Sequence, residues 1–141
     1  KLREEIAKIL DDIRKNCATL YVFNSPQANR IQELIKEEWD IRAEFLWKDS
    51  NYAVFRNAKT LKWFAIIMDI DATKLGLLKK DIDIINLKLP PDMIEELLKK
   101  TGFYRAYHMN KKYWISLILD DTLSDQKILD LIKMSYQIVD K

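Results

Sequence analysis

Glycine is almost absent: the 141 residues hold 2 Gly, 3 Pro, one Cys and one His. Two glycines leave no loop in which backbone N–H groups could cradle a phosphate, and no dinucleotide-binding, P-loop, nucleophile-elbow or zincin pattern occurs. Cys17 has no second cysteine to pair with, so no disulfide framework supports the fold and a reduced, cytoplasmic compartment is the expectation. One Cys and one His are too few for a zinc site. No apolar run approaches the roughly 18 residues of a membrane span, and no positively flanked apolar leader opens the chain, so no membrane partner is expected. The first residue is Lys1 rather than Met, which predicts a piece of a longer protein.

What remains is an ordinary globular composition, 48% apolar and 11% aromatic, in a chain long enough to bury one core. The formal net charge of +2 conceals a segregation. From Ser50 to Met68 there is no Asp or Glu, while Arg56, Lys59 and Lys62 give +3. From Leu97 to Leu119 there is again none, while Lys99, Lys100, Arg105, Lys111 and Lys112 give +5, and the rest of the chain carries −6. Nine of the fifteen aromatic residues fall in the same two windows. A charge run is more often a solvated face than a binding site, so its placement decides its meaning.

Hydrophobic spacing predicts the elements. Leu2, Ile6, Ile9, Leu10 and Ile13 recur at helical period, and with a connector they make up residues 1–24. Ser25-Pro26 offers an N-cap followed by proline at the first helical position, opening residues 25–141 as the main domain. Ile31, Leu34, Ile35 and Trp39 mark the buried face of that helix. Tyr52 to Arg56 and Lys62 to Met68 read as a hairpin, the second strand apolar on both faces, with Trp63, Ala65 and Ile67 on one side and Phe64, Ile66 and Met68 on the other. Asp69 to Lys80 reads as a loop with a helical turn, and Ile82 to Leu89 as a third strand. A helix follows Pro90-Pro91, with Lys99 and Lys100 in its last turn. Phe103 to His108 and Tyr113 to Leu119 form a second hairpin around residues 109–112, and Ser124 caps a final helix with Ile128, Leu129, Ile132, Ser135, Tyr136 and Val139 inward. The order predicts an α+β domain: an antiparallel sheet of about five strands with helices packed on one face.

The runs NYAVF (51–55), KWFAIIMD (62–69), KLG (74–76), IINLK (84–88) and above all AYHMNKKYWI (106–115) resemble the MmcQ/YjbR family. The resemblance spans about Ser25 to Val139. It implies a frataxin-like CyaY architecture, described for the family as a double wing and proposed on shape to bind DNA; most members have no assigned function. Leu46, where the family commonly has proline, and Pro90, where it has an acidic or small cap, depart from the pattern. The first 23 residues resemble the connector of longer relatives that carry an upstream domain.

Three functional classes remain. Catalysis would have to be built around His108, whose bland reading is a hairpin residue holding a backbone carbonyl or packed on Trp114, and no nucleophile, base and orienting group are legible together; no enzyme and no cofactor are expected. Glu33, Glu37 and Glu38, or Asp69 with Asp71 and Asp81 with Asp83, could offer oxygen ligands to a cation, but exposed carboxylates usually solvate a surface, and no metal site is assigned. The third class is binding. Hairpin loops carrying Arg56, Lys59 and Lys62 on one wing and Arg105, His108, Asn110, Lys111 and Lys112 on the other could contact DNA weakly and without sequence preference. The rival reading is that this surface docks another protein or the upstream domain.

Overall fold

Ser25 and Pro26 open a helix as their order in the chain demands. The computed structural model describes residues 23–47, 52–76 and 81–141, so the expected first helix and all of its connector except Phe23 and Asn24 lie outside the described residues. The Ser25 hydroxyl accepts from the Ala28 N–H at 3.0 Å, and Pro26 occupies the position that has no N–H to satisfy. Helix α1 (Pro26–Trp39) ends at Asp40, left-handed at φ 56°, whose N–H reaches back to the Lys36 carbonyl.

Then follow β1 (Ala53–Arg56), β2 (Trp63–Asp71), a single 3-10 turn (Ala72–Leu75), β3 (Asp81–Lys88), α2 (Pro91–Leu97), β4 (Phe103–Arg105), β5 (Trp114–Ile118) and α3 (Asp125–Val139). The strands form one sheet in the order β1-β2-β3-β5-β4, each neighbour antiparallel. This is the α+β arrangement that the spacing predicts. Three boundaries differ by more than one residue. Strand β2 runs on through Asp71, because Ile70 stays in phase with Ile66 and Met68 and pairs with Ile82. Helix α2 stops at Leu97, leaving Lys99 and Lys100 in the following turn. Strand β4 ends at Arg105, three residues short of expectation, where the chain turns into a loop.

The sheet is apolar on both faces. On one, Phe55, Ala65, Ile67, Ile85, Leu87, Ile115 and Leu117 meet Ile31 and Ile35 of α1 and Ile128, Leu131 and Ile132 of α3. Leu131 rather than Leu129 completes the buried stripe of α3. The other face gathers Val54, Ile66, Met68, Ile70, Ile82, Ile84 and Ile118 beneath Tyr52, Trp63, Leu75, Tyr104, Tyr107 and Met109.

A β-bulge decides which aromatic residue faces which side. Phe55 lies opposite Ala65 and Arg56 opposite Trp63, which leaves Phe64 as the extra residue. Alternation therefore breaks: Phe64 joins Ala65 and Ile67 under the helices, and Trp63 joins Ile66 and Met68 on the far face. This corrects the assignment made from strict alternation. Magnitudes account for it, since a ladder hydrogen bond contributes about 0.5–1.5 kcal/mol and full burial of a Phe side chain about 1.5–3 kcal/mol. The bulge is then locked from outside the sheet. The Ser135 hydroxyl donates to the Phe64 carbonyl at 2.6 Å and accepts from the Lys88 N–H at 2.9 Å, tying α3 to two strands with one buried side chain.

Candidate binding face

Because all pairings are antiparallel, the loops at 57–62 and 106–113 leave the same end of the sheet, one near each edge. The expected wings therefore start together, but they are built differently.

The first is pinned. Buried Asn57 donates to Asp140 at 2.8 Å, the Thr60 hydroxyl donates to the Val139 carbonyl at 2.7 Å, and the Lys59 ammonium pairs with Asp140 at 3.3 Å. The Asn57 amide, with Lys59 adding to it, holds the Asp140 carboxyl below the usual carboxylate range. The Lys62 ammonium donates to the Lys141 carbonyl at 2.9 Å. Arg56 sends its Nε to both oxygens of Glu44 at 3.1 Å and lays its guanidinium 5.9 Å from the centre of the Trp63 ring. The whole loop is fastened to the end of α3 and the segment before β1. Arg56, Lys59 and Lys62 are thus engaged rather than projecting.

The second wing divides. Arg105 meets Glu95 of α2 at 3.5 Å, both side chains more than half exposed, a pairing that contributes little to stability but matches the charge. Lys111 and Lys112 have no carboxylate partner among the described residues, and Lys112 lies 5.5 Å from the ring of exposed Tyr113. Asn110 shapes the turn between them and the strand: its side-chain oxygen accepts from the Lys112 N–H and its carbonyl from the Trp114 N–H, both at 2.9 Å. Of the eight residues expected to form the interface, the structure leaves one loop with two unmatched cations.

The base of that loop is clamped by a buried polar pair. Ser116 donates to the Asn86 side-chain oxygen and accepts from the Tyr107 N–H at 3.0 Å, while the Asn86 amide donates to the Tyr107 carbonyl at 3.0 Å. Both backbone polar groups of Tyr107 are satisfied from the sheet beneath. The next residue, His108, is left-handed at φ 60°, and its ring lies against Tyr107 with 4.0 Å between centroids, not on Trp114 as expected.

On the face away from the helices, the loop and the sheet border a half-open cavity of about 260 Å³ lined by Trp47, Tyr52, Trp63, Ile66, Met68, His108 and Met109. Trp47 is positioned by the Glu44–Val54 backbone bridge three residues before it. Its ring stands edge-on to Tyr52 at 5.9 Å and 71°, and to Trp63 at 6.0 Å and 82°. Burial raises the Tyr52 phenol above its ordinary value, with Tyr107 and Asp69 adding to the shift. Phe45, Leu46 and Trp47 are each more than two-fifths exposed, Phe45 with its ring 6.5 Å from that of Phe23 in the helix-side core and Trp47 at the cavity. The sequence reading missed Trp47, Tyr52, Met68 and Met109 as a group, and missed the carboxylates that engage the first wing. One signal was present: Ser116 is the single polar residue of β5, and Asn86 interrupts the apolar run Ile84–Leu87 of β3.

The candidate metal ligands are arranged across strands rather than along them, Asp69 opposite Asp83 and Asp71 opposite Asp81. Asp83 is almost fully buried, and its Oδ2 accepts from the Ser25 N–H at 2.7 Å, anchoring the start of α1. Burial raises its carboxyl above the usual range against the lowering effect of that hydrogen bond. Glu38 faces Lys133 at 3.9 Å. No group of three or more metal-ligating side chains occurs among the described residues, and none of their helices is long and apolar enough to cross a membrane.

Comparison with known proteins agrees with this architecture. A Pseudomonas syringae protein has a crystal structure that matches with a TM-score of 0.76 at 38% identity, covering 78% of this chain and 96% of that one. A Deinococcus radiodurans protein shares the fold at a TM-score of 0.59 and 22% identity, over 77% of this chain and 78% of its own. The uncharacterized protein YyaQ of Bacillus subtilis strain 168 is 36% identical over 106 residues, which is 74% of this chain and 90% of YyaQ. The YjbR family model matches residues 40–138, spanning β1 through nearly all of α3. The chain belongs to the YjbR family.

Proposed function

We propose that this is a non-enzymatic binding domain that contacts nucleic acid weakly, without sequence preference, through the 106–113 loop alone. The observation that carries the reading is the pair Lys111 and Lys112, two adjacent exposed cations with no carboxylate partner among the described residues, beside the exposed ring of Tyr113. Phosphate contact by the lysines and stacking on the tyrosine are the two contributions that such binding needs. The engaged state of Arg56, Lys59 and Arg105 lowers the expected strength. Two neutralised phosphates give a slope of log K against log salt of about −1.8 for duplex and about −1.4 for single strands, so raising salt from 50 to 200 mM weakens duplex binding about tenfold. The measurement is fluorescence anisotropy of labelled single strands and duplexes at those two salt concentrations. The double change Lys111→Ala and Lys112→Ala should remove most of the binding and flatten the salt slope, while Arg56→Ala leaves both as they were. Equal affinity in the lysine variant ends this reading.

A second reading, protein docking, is favoured by the exposed run Phe45-Leu46-Trp47, since contiguous apolar surface marks interaction sites more often than scattered residues do. The Leu46→Asp change separates the two, because it disturbs this strip and leaves the lysine loop untouched.

A further inference from the structure

We infer that the cavity between Trp47, Tyr52 and Trp63 on one side and His108 and Met109 on the other binds a small planar aromatic ligand of one or two fused rings that carries no positive charge. The cavity shares the 106–113 loop with the nucleic-acid reading through His108 and Met109, but the two are separable, for neither Lys111 nor Lys112 lines it. Size sets the first limit. A cavity of roughly 150 Å³ accepts benzene and drug-sized ligands occupy roughly 300–1,000 Å³, so about 260 Å³ suits one or two fused rings. Shape sets the second. Trp47 stands nearly perpendicular to both Tyr52 and Trp63, so an entering ring meets faces and edges together, the arrangement aromatic pairs prefer. The thioethers of Met68 and Met109 add soft contacts that adapt to a ring edge. Charge sets the third: among the described residues no carboxylate lines the cavity, and the guanidinium of Arg56 already lies near the Trp63 ring, which disfavours a second cation.

The wall is also organised in advance. The Asn86–Ser116 clamp fixes Tyr107, and His108 is held in a backbone conformation that costs a non-glycine residue energy. Strain retained at a cavity wall keeps an imidazole where a ligand ring would touch it.

The chain has four methionines, two lining the cavity (Met68, Met109) and two elsewhere (Met93, Met134), which makes methyl NMR of the methionine-labelled protein a local probe. Titration with indole and with adenosine should shift the Met68 and Met109 methyls for at least one of the two, and leave Met93 and Met134 in place. Trp47→Ala, at a side chain exposed enough for the fold to withstand its loss, should weaken that binding about fivefold. Met109→Trp, which fills the space, should abolish it. The inference is overturned if neither probe moves the Met68 and Met109 methyls, if all four methyls move alike, or if Trp47→Ala binds as tightly as the parent.

Discussion

The loop that borders the cavity is clamped by two buried side chains, and removing the hydroxyl of one is a direct test of how the site is held. Ser116→Ala leaves the Tyr107 N–H without its acceptor at 3.0 Å and the buried Asn86 side-chain oxygen without its donor. A buried polar group left alone costs about 1–3 kcal/mol. Asn86 is fully buried, so its oxygen pays in that range, whereas water can reach the part-buried Tyr107 N–H and bring its contribution to the lower end. The expected loss is about 2–4 kcal/mol. With a urea m-value of about 2 kcal/mol/M, the middle of the range for small proteins, the unfolding midpoint should fall by about 1–2 M. The Asn86 amide still holds the Tyr107 carbonyl, so the loop loosens without detaching, and hydrogen exchange at the Tyr107 amide should speed up more than at its neighbours. Ser124→Ala is the control: it removes an exposed helix cap, the 3.1 Å bond from the Lys127 N–H, at a cost of about 1 kcal/mol. If Ser116→Ala costs no more than Ser124→Ala, or if the Tyr107 amide exchanges as before, the clamp does not hold the loop.

Two further outcomes follow from the same structure. Burial raises the Asp83 carboxyl in the folded state, so its contribution to stability is greatest at acid pH, where it is protonated in both states, and is lost as pH rises from about 4 through the raised value. Asp83→Asn keeps an acceptor for the Ser25 N–H, and urea unfolding at several pH values should show the variant gaining on the parent as pH climbs; a constant difference would refute the assignment. Leu61 and His108 are both left-handed, at φ 62° and 60°, and glycine at either should relieve strain for a net gain of about 0.5–1 kcal/mol by thermal or urea unfolding. Only His108→Gly should also weaken indole or adenosine binding, and equal binding by the two variants would separate the strain at His108 from the cavity.

The layout of the sheet was legible because its signals are local. The Ser25-Pro26 cap, the proline stop at Pro90-Pro91 and the Ser124 cap each act within a few residues, and the apolar runs between them are long enough to fix strand or helix. The candidate site was less legible because it depends on partners far apart in the chain. Arg56 is matched by Glu44, Lys59 by Asp140 and Arg105 by Glu95, at sequence separations of 12, 81 and 10 residues. A window free of acidic residues therefore says nothing about which carboxylates the fold will carry to it. The Phe64 bulge hid the site in another way, since one unpaired residue moves Trp63 to the opposite face and period-2 reasoning cannot see it.

The scarcity of glycine carries a consequence of its own. With two glycines in the chain, both left-handed, the remaining tight reversals fall on Asp40, Leu61, His108 and Asp121 among the described residues. Asp tolerates this region because its short side chain can bond locally, and Asp40 and Asp121 sit at a helix end and in the loop before α3, where such turns are ordinary. Histidine enters this region more readily than most residues, and leucine rarely does. Leu61 is held by its N–H to the Asn57 carbonyl at 2.8 Å, inside a loop already bound to the end of α3, so the fold supplies the compensation. His108 follows a residue held by two buried side chains and ends beside an aromatic cavity, and there the compensation serves to place a ring. Two left-handed residues thus have different origins, one a by-product of closing a hairpin and the other a fixed wall of the candidate site.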